Sequence, residues 1–462
     1  MLKKIISIIQ IPIKIMLVFV MAYGIYAYFN QVFINEDVDY GTSFHSLPND
    51  TMDVIVLGSS HAQYSFVPPF FFEDTGLSSY VLGSACQPLE VSYEMLKEAL
   101  KTQSPQLVIL EVYTAMPLRR VCEADVCYVA GQYLMTGDEK YNTINYLDEE
   151  KAKTYYNDFL NLHNNWKNAT SLSDWKINPK VKTGYENIDT AFGYIYQKVA
   201  KSPYGNYWKA EVFDENVDVE LDELDLVSLN NIYNLCQDNN IELLLYKTPI
   251  DGMDVENQSY LHKVWEWANT KDVPYIDFFE LQDELNYLLW LHSDSYHCYI
   301  NGAGLITATI SDVVKNNYDI KHTENIMLDS MYDISALYHD IEYLTYEYNL
   351  DNIFRRMKND NATILFKFNS SNKKVHQALI DKINELGFVG FDGVNDYYGL
   401  LVNGELIVSD NHKIEVEQNG KTIRINKEKI MVDNATINDN GNLSLVFADK
   451  DVLNYAVKNI EY

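Results

Sequence analysis

"DVIVLGSSHAQYSF", Asp53 to Phe66, is the stretch whose reading decides the fold. Val54 to Leu57 is a short uninterrupted apolar run, three of its four residues β-branched, and Gly58 ends it. Such a run suits a strand buried on both faces, as in a parallel sheet covered by helices. Ser59, Ser60 and His61 follow at once, so two hydroxyls and an imidazole crowd the tip of a buried strand.

The same rhythm continues outward. "SSYVLGSA" (78–85) reads as a second strand, "QPLEVSYEMLKEALKT" (87–102) as an amphipathic helix and "PQLVILEVY" (105–113) as a third strand. Later come a helix over 223–240, a strand "IELLLYKTP" (241–249), a helix around 260–272, a strand "VPYIDFF" (273–279) and a closing helix over 301–318. Short apolar strands alternating with helices predict an α/β fold, a three-layer α/β/α sandwich around a parallel sheet, from about residue 50 to 320. A stretch without that rhythm, about 118–221 and rich in Tyr, Asn, Trp and Lys, reads as an insertion that shapes a binding surface or lid.

The last unit, about 345–462, changes character. A strand "ATILFKF" (362–368) and a helix ending at Gly387 lead into two hairpins, "GLLVNGELIVSD" (399–410) and "IEVEQNGKTIRI" (414–425). Each places Asn-Gly between alternating residues, the signature of a tight type I′ turn. A C-terminal α+β domain, mostly antiparallel, is expected, bridged to the first unit by a helical 331–360.

The chain has 462 residues, which calls for two or three folded units. Its formal net charge of −30 argues against nucleic acid as a partner, since phosphate binding needs clustered Lys and Arg. At the N-terminus, about Ile11 to Phe33 is apolar and long enough to cross a bilayer of about 30 Å as a helix. Lys3, Lys4 and Lys14 lie on one side and the acidic "INEDVDY" on the other, which predicts residues 1–35 as a cytoplasmic N-terminus and single-pass anchor, with the bulk of the chain outside. A signal peptide is the competing reading, and no small-x-small cleavage site ends the run. Five cysteines imply no disulfide framework, although Cys122 and Cys127 are spaced to close a small loop. No four-ligand metal spacing occurs, and no cofactor is called for.

Ligands of open parallel sheets bind beyond the carboxyl ends of the strands, where Gly58 to His61 would lie. A serine at that turn suits a nucleophile, but a serine hydroxyl needs a base. The candidate base is far downstream in "HSDSYHCYINGAG" (292–304): Asp294 and His297 are three apart, just before the closing helix, whose start is expected at Asn301 or Gly302. Asp294 would fix the imidazole tautomer and leave its other nitrogen to take a proton from Ser60. The competing role for Ser60 is a helix cap.

These residues resemble the SGNH (GDSL-type) hydrolase superfamily, with a serine near the N-terminus and Asp-x-x-His near the C-terminus of a flavodoxin-like sandwich. "GSS" stands where that family has Gly-Asp-Ser, so Ser60, not Ser59, takes the nucleophile's place, and "DSYH" matches Asp-x-x-His in full. "YVLGSACQP" looks like the second block, whose glycine, Gly83 here, would donate an amide to the oxyanion hole. Ser84, Gln87 and His61 are expected near the oxyanion or substrate. The third block departs: Glu111-Val112-Tyr113-Thr114 replaces Gly-x-Asn-Asp, so the usual asparagine is missing. Order, spacing and anchor resemble membrane-bound members similar to the D-alanyl-lipoteichoic-acid transfer proteins.

The resemblance implies an extracytoplasmic acyltransferase or esterase acting through acyl-Ser60 on a cell-envelope polymer such as a teichoic acid or exopolysaccharide, with a membrane-bound O-acyltransferase as partner. Polysaccharide deacetylation shares every residue named. A binding or scaffold protein on a degenerate fold is the reading of a different class, motivated by the missing asparagine.

Overall fold

The computed structural model describes residues 2–32, 39–116, 138–139, 142–143, 184–197, 217–250, 253–285, 294, 296–371, 373–437 and 439–462. Helix α1 (Leu2–Val32) contains an apolar window, Ile11–Tyr28, with mean hydropathy 1.7 and no part of it buried in the protein. By length and composition it is able to cross a membrane or to serve as a signal sequence. A short helix α2 (Asp39–Ser46) follows.

Strands β1 (Val54–Gly58), β2 (Ser79–Gly83), β3 (Leu107–Glu111), β4 (Glu242–Lys247) and β5 (Tyr275–Asp277) form one sheet in the order β2-β1-β3-β4-β5, every pair parallel. This is the doubly wound order of flavodoxin-like folds. Alternate residues of each strand feed opposite cores. Ile55, Leu57, Val108, Leu110, Leu243 and Leu245 pack with α5 (Leu89–Ala99), α6 (Glu223–Asp238) and α7 (Val255–Thr270). Val54, Val56, Leu107, Ile109, Leu244 and Tyr246 pack with α3 (Ser60–Ser65), α4 (Pro68–Thr75) and α8 (Ile300–Asn317). Because both faces are covered, the strands carry no polar side, which is why they read as continuous apolar runs.

Three local expectations are corrected. Helix α8 begins at Ile300, one residue before the expected cap, and Asn301 is buried in its first turn with its amide donating to the Tyr343 carbonyl at 3.1 Å. The bridge over 331–360 is two helices, α9 (Ile326–Tyr346) and α10 (Leu350–Arg356). Glu347 Oε1 accepts the amides of Tyr348 and Asn349 at 2.8 Å each, and Asn349 then caps α10. That local bonding competes with the helical ladder and ends it. Strand β5 has three residues, shorter than the apolar segment that contains it.

Beyond α10 lies β6 (Thr363–Phe368), helix α11 (Gln377–Glu385) and strands β7 (Tyr397–Val402) and β8 (Glu405–Asp410). With β13 (Leu443–Ala448) and β14 (Tyr455–Asn459) they make an antiparallel sheet ordered β14-β13-β6-β7-β8. A second antiparallel sheet joins β9 (Lys413–Gln418), β10 (Lys421–Asn426), β11 (Ile430–Val432) and β12 (Ala435–Ile437). Both Asn-Gly pairs form the expected turns, with φ of +50° at Asn403 and Asn419 and +73° at Gly404 and Gly420. The two sheets share a core of Leu400, Ile414, Ile423, Ile425 and Val446, while α9 and α11 cover the outer face of the larger one.

This C-terminal unit is fastened to α4 by two arginines at the end of α10. Arg356, fully buried, reaches Glu73 at 2.5 Å and Asp74 at 2.7 Å and lies over the Phe70 ring. Arg355 joins Asp74 and Asp312.

Most of the expected insertion at 118–221, including Cys122 and Cys127, lies outside the described residues. Its described end, 184–197, is tied to the sheet and to α3: Phe192 accepts the Val81 amide at 2.9 Å and Ile195 donates to the Gln63 carbonyl at 2.8 Å. Cys86, Cys236 and Cys298 are not joined in disulfides.

Candidate active site

Gly58 ends β1 with φ +149°, a region that favours glycine, and a Cβ there would lie 2.6 Å from Cβ of Glu111. The chain then turns into α3. Ser59 is the cap: its Oγ accepts the His61 amide at 3.1 Å and donates to Glu111 Oε2 at 2.9 Å. With Ser59 in that role, the next hydroxyl, on Ser60, faces a different element.

That element is the segment leading into α8. Asp294 Oδ1 accepts the amides of Tyr296 at 2.6 Å and His297 at 2.7 Å, and its Oδ2 bonds His297 Nδ1 at 2.9 Å. One carboxylate both folds the turn and orients the imidazole. Partial burial would raise the Asp294 carboxyl, but the bond from His297 and the two amides outweigh it and hold the group below the usual carboxylate range. His297 Nε2 stands 3.0 Å from Ser60 Oγ. Ser60, His297 and Asp294 are therefore bonded in series, with a proton on Nδ1 leaving Nε2 as the acceptor.

Gly83 ends β2 directly beside Gly58 in the parallel register. A Cβ on it would meet Gln63 Cγ at 2.8 Å and the carbonyls of Ser59 and Gly58 at 3.0 and 3.2 Å, so only glycine fits against this turn. Ser84 and Gln87, expected from the sequence near the substrate, are buried and bond each other at 3.0 Å. Gln87 also donates to Ser92 at 2.9 Å, and its carbonyl accepts from Thr114 at 2.8 Å. These bonds make the two side chains an internal brace of the loop after β2. His61 is likewise buried; its ring stacks on Tyr113 with centroids 3.7 Å apart, and its Nδ1 lies 3.0 Å from Thr248 Oγ1.

The sequence reading missed Glu111 as a member of this centre. It is fully buried, bonded to Ser59 and to the Tyr113 amide at 2.8 Å. Burial pushes its carboxyl up to about 7, against the lowering effect of those bonds. The available signal was a charged residue closing an otherwise apolar strand, "LVILE". Lys247 was a second omission: it forms a 2.6 Å ion pair with Asp277 at the ends of β4 and β5 and also donates to Gln258 at 2.9 Å. Asp277 additionally accepts the Phe279 amide, so it serves as a cap and a counter-charge.

Among the described residues, no group of three His, Cys, Asp or Glu side chains is placed to hold a metal ion. His292 lies outside them.

Neither a protein-family model nor a curated protein matches this chain. Among solved structures, it is similar to a crystal structure described as a "putative acylhydrolase" from Bacteroides fragilis, at 11% identity and a TM-score of 0.31. That similarity covers 60% of this chain and 94% of the other.

Proposed function

We propose that the protein is a serine esterase or acyltransferase of the SGNH type, carried on the outer face of a membrane by α1. The observation that supports this is the 3.0 Å contact between Ser60 Oγ and His297 Nε2, with Asp294 on the far imidazole nitrogen. In this reading His297 takes the Ser60 proton as Oγ attacks the carbonyl carbon of an acyl ester. The tetrahedral oxyanion is met by the amides of Ser60 and Gly83; each such donor is worth about 3 kcal/mol in the transition state. His297 then returns the proton to the departing alcohol, leaving acyl-Ser60. A second alcohol regenerates the serine in transfer, and water does so in hydrolysis. Asp294 holds the imidazole tautomer throughout.

The acceptor is a cell-envelope polymer, and the acyl donor is delivered by a membrane-bound O-acyltransferase. Lys3 and Lys4, before the apolar window, support a cytoplasmic N-terminus and a catalytic unit outside. A fluorophosphonate probe tests the reading: the full chain in micelles is labelled, and Ser60→Ala is not. Equal labelling of both proteins, or none of either, overturns it.

A further inference from the structure

Resting on that reading, we infer that Tyr64, Tyr196 and Tyr296 form a stacking subsite beside Ser60 for a carbohydrate acceptor that carries no anionic groups. The Tyr64 ring centroid is 4.4 Å from that of His297, and the Tyr296 ring stands edge-on to the same imidazole at 6.5 Å. Tyr296 and Tyr196 are each 39% exposed, and Tyr64 is partly exposed. Tyr196 stands between α9 and α3: its ring is edge-on to that of His339 at 6.2 Å, and the preceding residue, Ile195, donates to Gln63 on α3, one residue before Tyr64. Tyr194, buried beneath, has Tyr64, Tyr196 and Cys298 as its ionisable neighbours, which ties the ledge together. Aromatic faces next to a reacting centre suit the apolar faces of sugar rings, while the phenol oxygens stay at the wet edge.

Charge decides the class of sugar. Tyr196 is hydrogen bonded to Glu342, and Asp294 lies behind Tyr296 and His297. Lys247, the cation at the strand ends, is taken by Asp277 and Gln258. With a net charge of −30 on the whole chain, a polyphosphate or uronate chain meets repulsion here, whereas a neutral or amino sugar does not.

The test is equilibrium binding by calorimetry to the full chain, in a detergent without a sugar headgroup. The probes are cellopentaose, maltopentaose, N-acetylchitopentaose and, as the anionic comparator, polyglycerol phosphate. At least one neutral oligosaccharide should bind, with Kd raised about tenfold or more by Tyr196→Ala and by Tyr64→Ala, and changed less than twofold by Tyr196→Phe. The Phe variant keeps the ring and so separates lost stacking from lost folding. Ser60→Ala should bind as the parent does, so a failure of the catalytic reading shows as missing fluorophosphonate labelling with binding intact. Binding of none of the neutral probes, binding indifferent to both Ala variants, or tighter binding of polyglycerol phosphate overturns the inference.

Discussion

The Ser59 hydroxyl donates to Glu111 Oε2 at 2.9 Å, joining the cap of the helix that carries Ser60 to a fully buried carboxyl at the end of the neighbouring strand. Among the described residues, no cation is hydrogen bonded to that carboxyl; its bonds come from Ser59, the Tyr113 amide and Thr248. The folded protein thus favours the protonated acid, with a value of about 7 against an ordinary 4.5.

The sign of the pH effect follows. A carboxyl raised on folding contributes stability that is fully present below pH 4.5 and is lost as pH rises through about 7. The loss amounts to at most about 3 kcal/mol. Urea midpoints of the parent should therefore fall between pH 5 and pH 8, and Glu111→Gln, which keeps the shape and removes the titration, should flatten that slope. Parallel pH profiles for parent and variant would rule this out.

Asp294 supports His297 through Nδ1 while also taking two backbone amides. Asp294→Asn presents an amide where the imidazole proton points, so the wrong tautomer faces Ser60. Ester turnover should drop about 10²–10⁴-fold with KM little changed. Steady-state kinetics on a small aryl ester reads this directly, and an unchanged kcat would sever Asp294 from the chemistry.

Gly83 has no room for a methyl group, because the Ser59 and Gly58 carbonyls and Gln63 already occupy it. Gly83→Ala should displace the first turn of α3, lower the unfolding free energy by about 1–3 kcal/mol, and reduce turnover more than it reduces stability. Denaturation and kinetics on the same preparation compare the two. Retention of both parent values would mean that the turn yields without cost.

Arg356 is buried against Glu73 and Asp74, with Asp340 within 4.0 Å. Removing it takes the counter-charge from Glu73 and Asp340, while Asp74 keeps Arg355, and Arg356→Met should cost about 3–5 kcal/mol. Because Arg356 sits where the C-terminal unit meets α4, calorimetry should show the unfolding transition broaden or split. A single transition at the parent temperature would exclude this role.

Much of this protein was legible in its sequence. Strands buried on both faces must be apolar throughout, so "DVIVLG" and "PQLVILE" announced a parallel sheet, and Asn-Gly between alternating residues announced the hairpins of the C-terminal unit. Gly58 followed by two serines marked a strand-end site, and Asp294 and His297 were recognisable as a pair because three residues of chain hold them together. Local pattern determined those features because the forces behind them act over one turn or one strand. What only tertiary structure decided was the partnership across distance: that Ser60 comes within reach of the imidazole while Ser59 caps the helix, that Gln87 and Ser84 bond each other, and that Glu111 lies beneath the turn that carries Ser60. Each depends on the order in which strands lie side by side, which places residues 237 positions apart within 3.0 Å, and no periodicity along the chain encodes that neighbourhood.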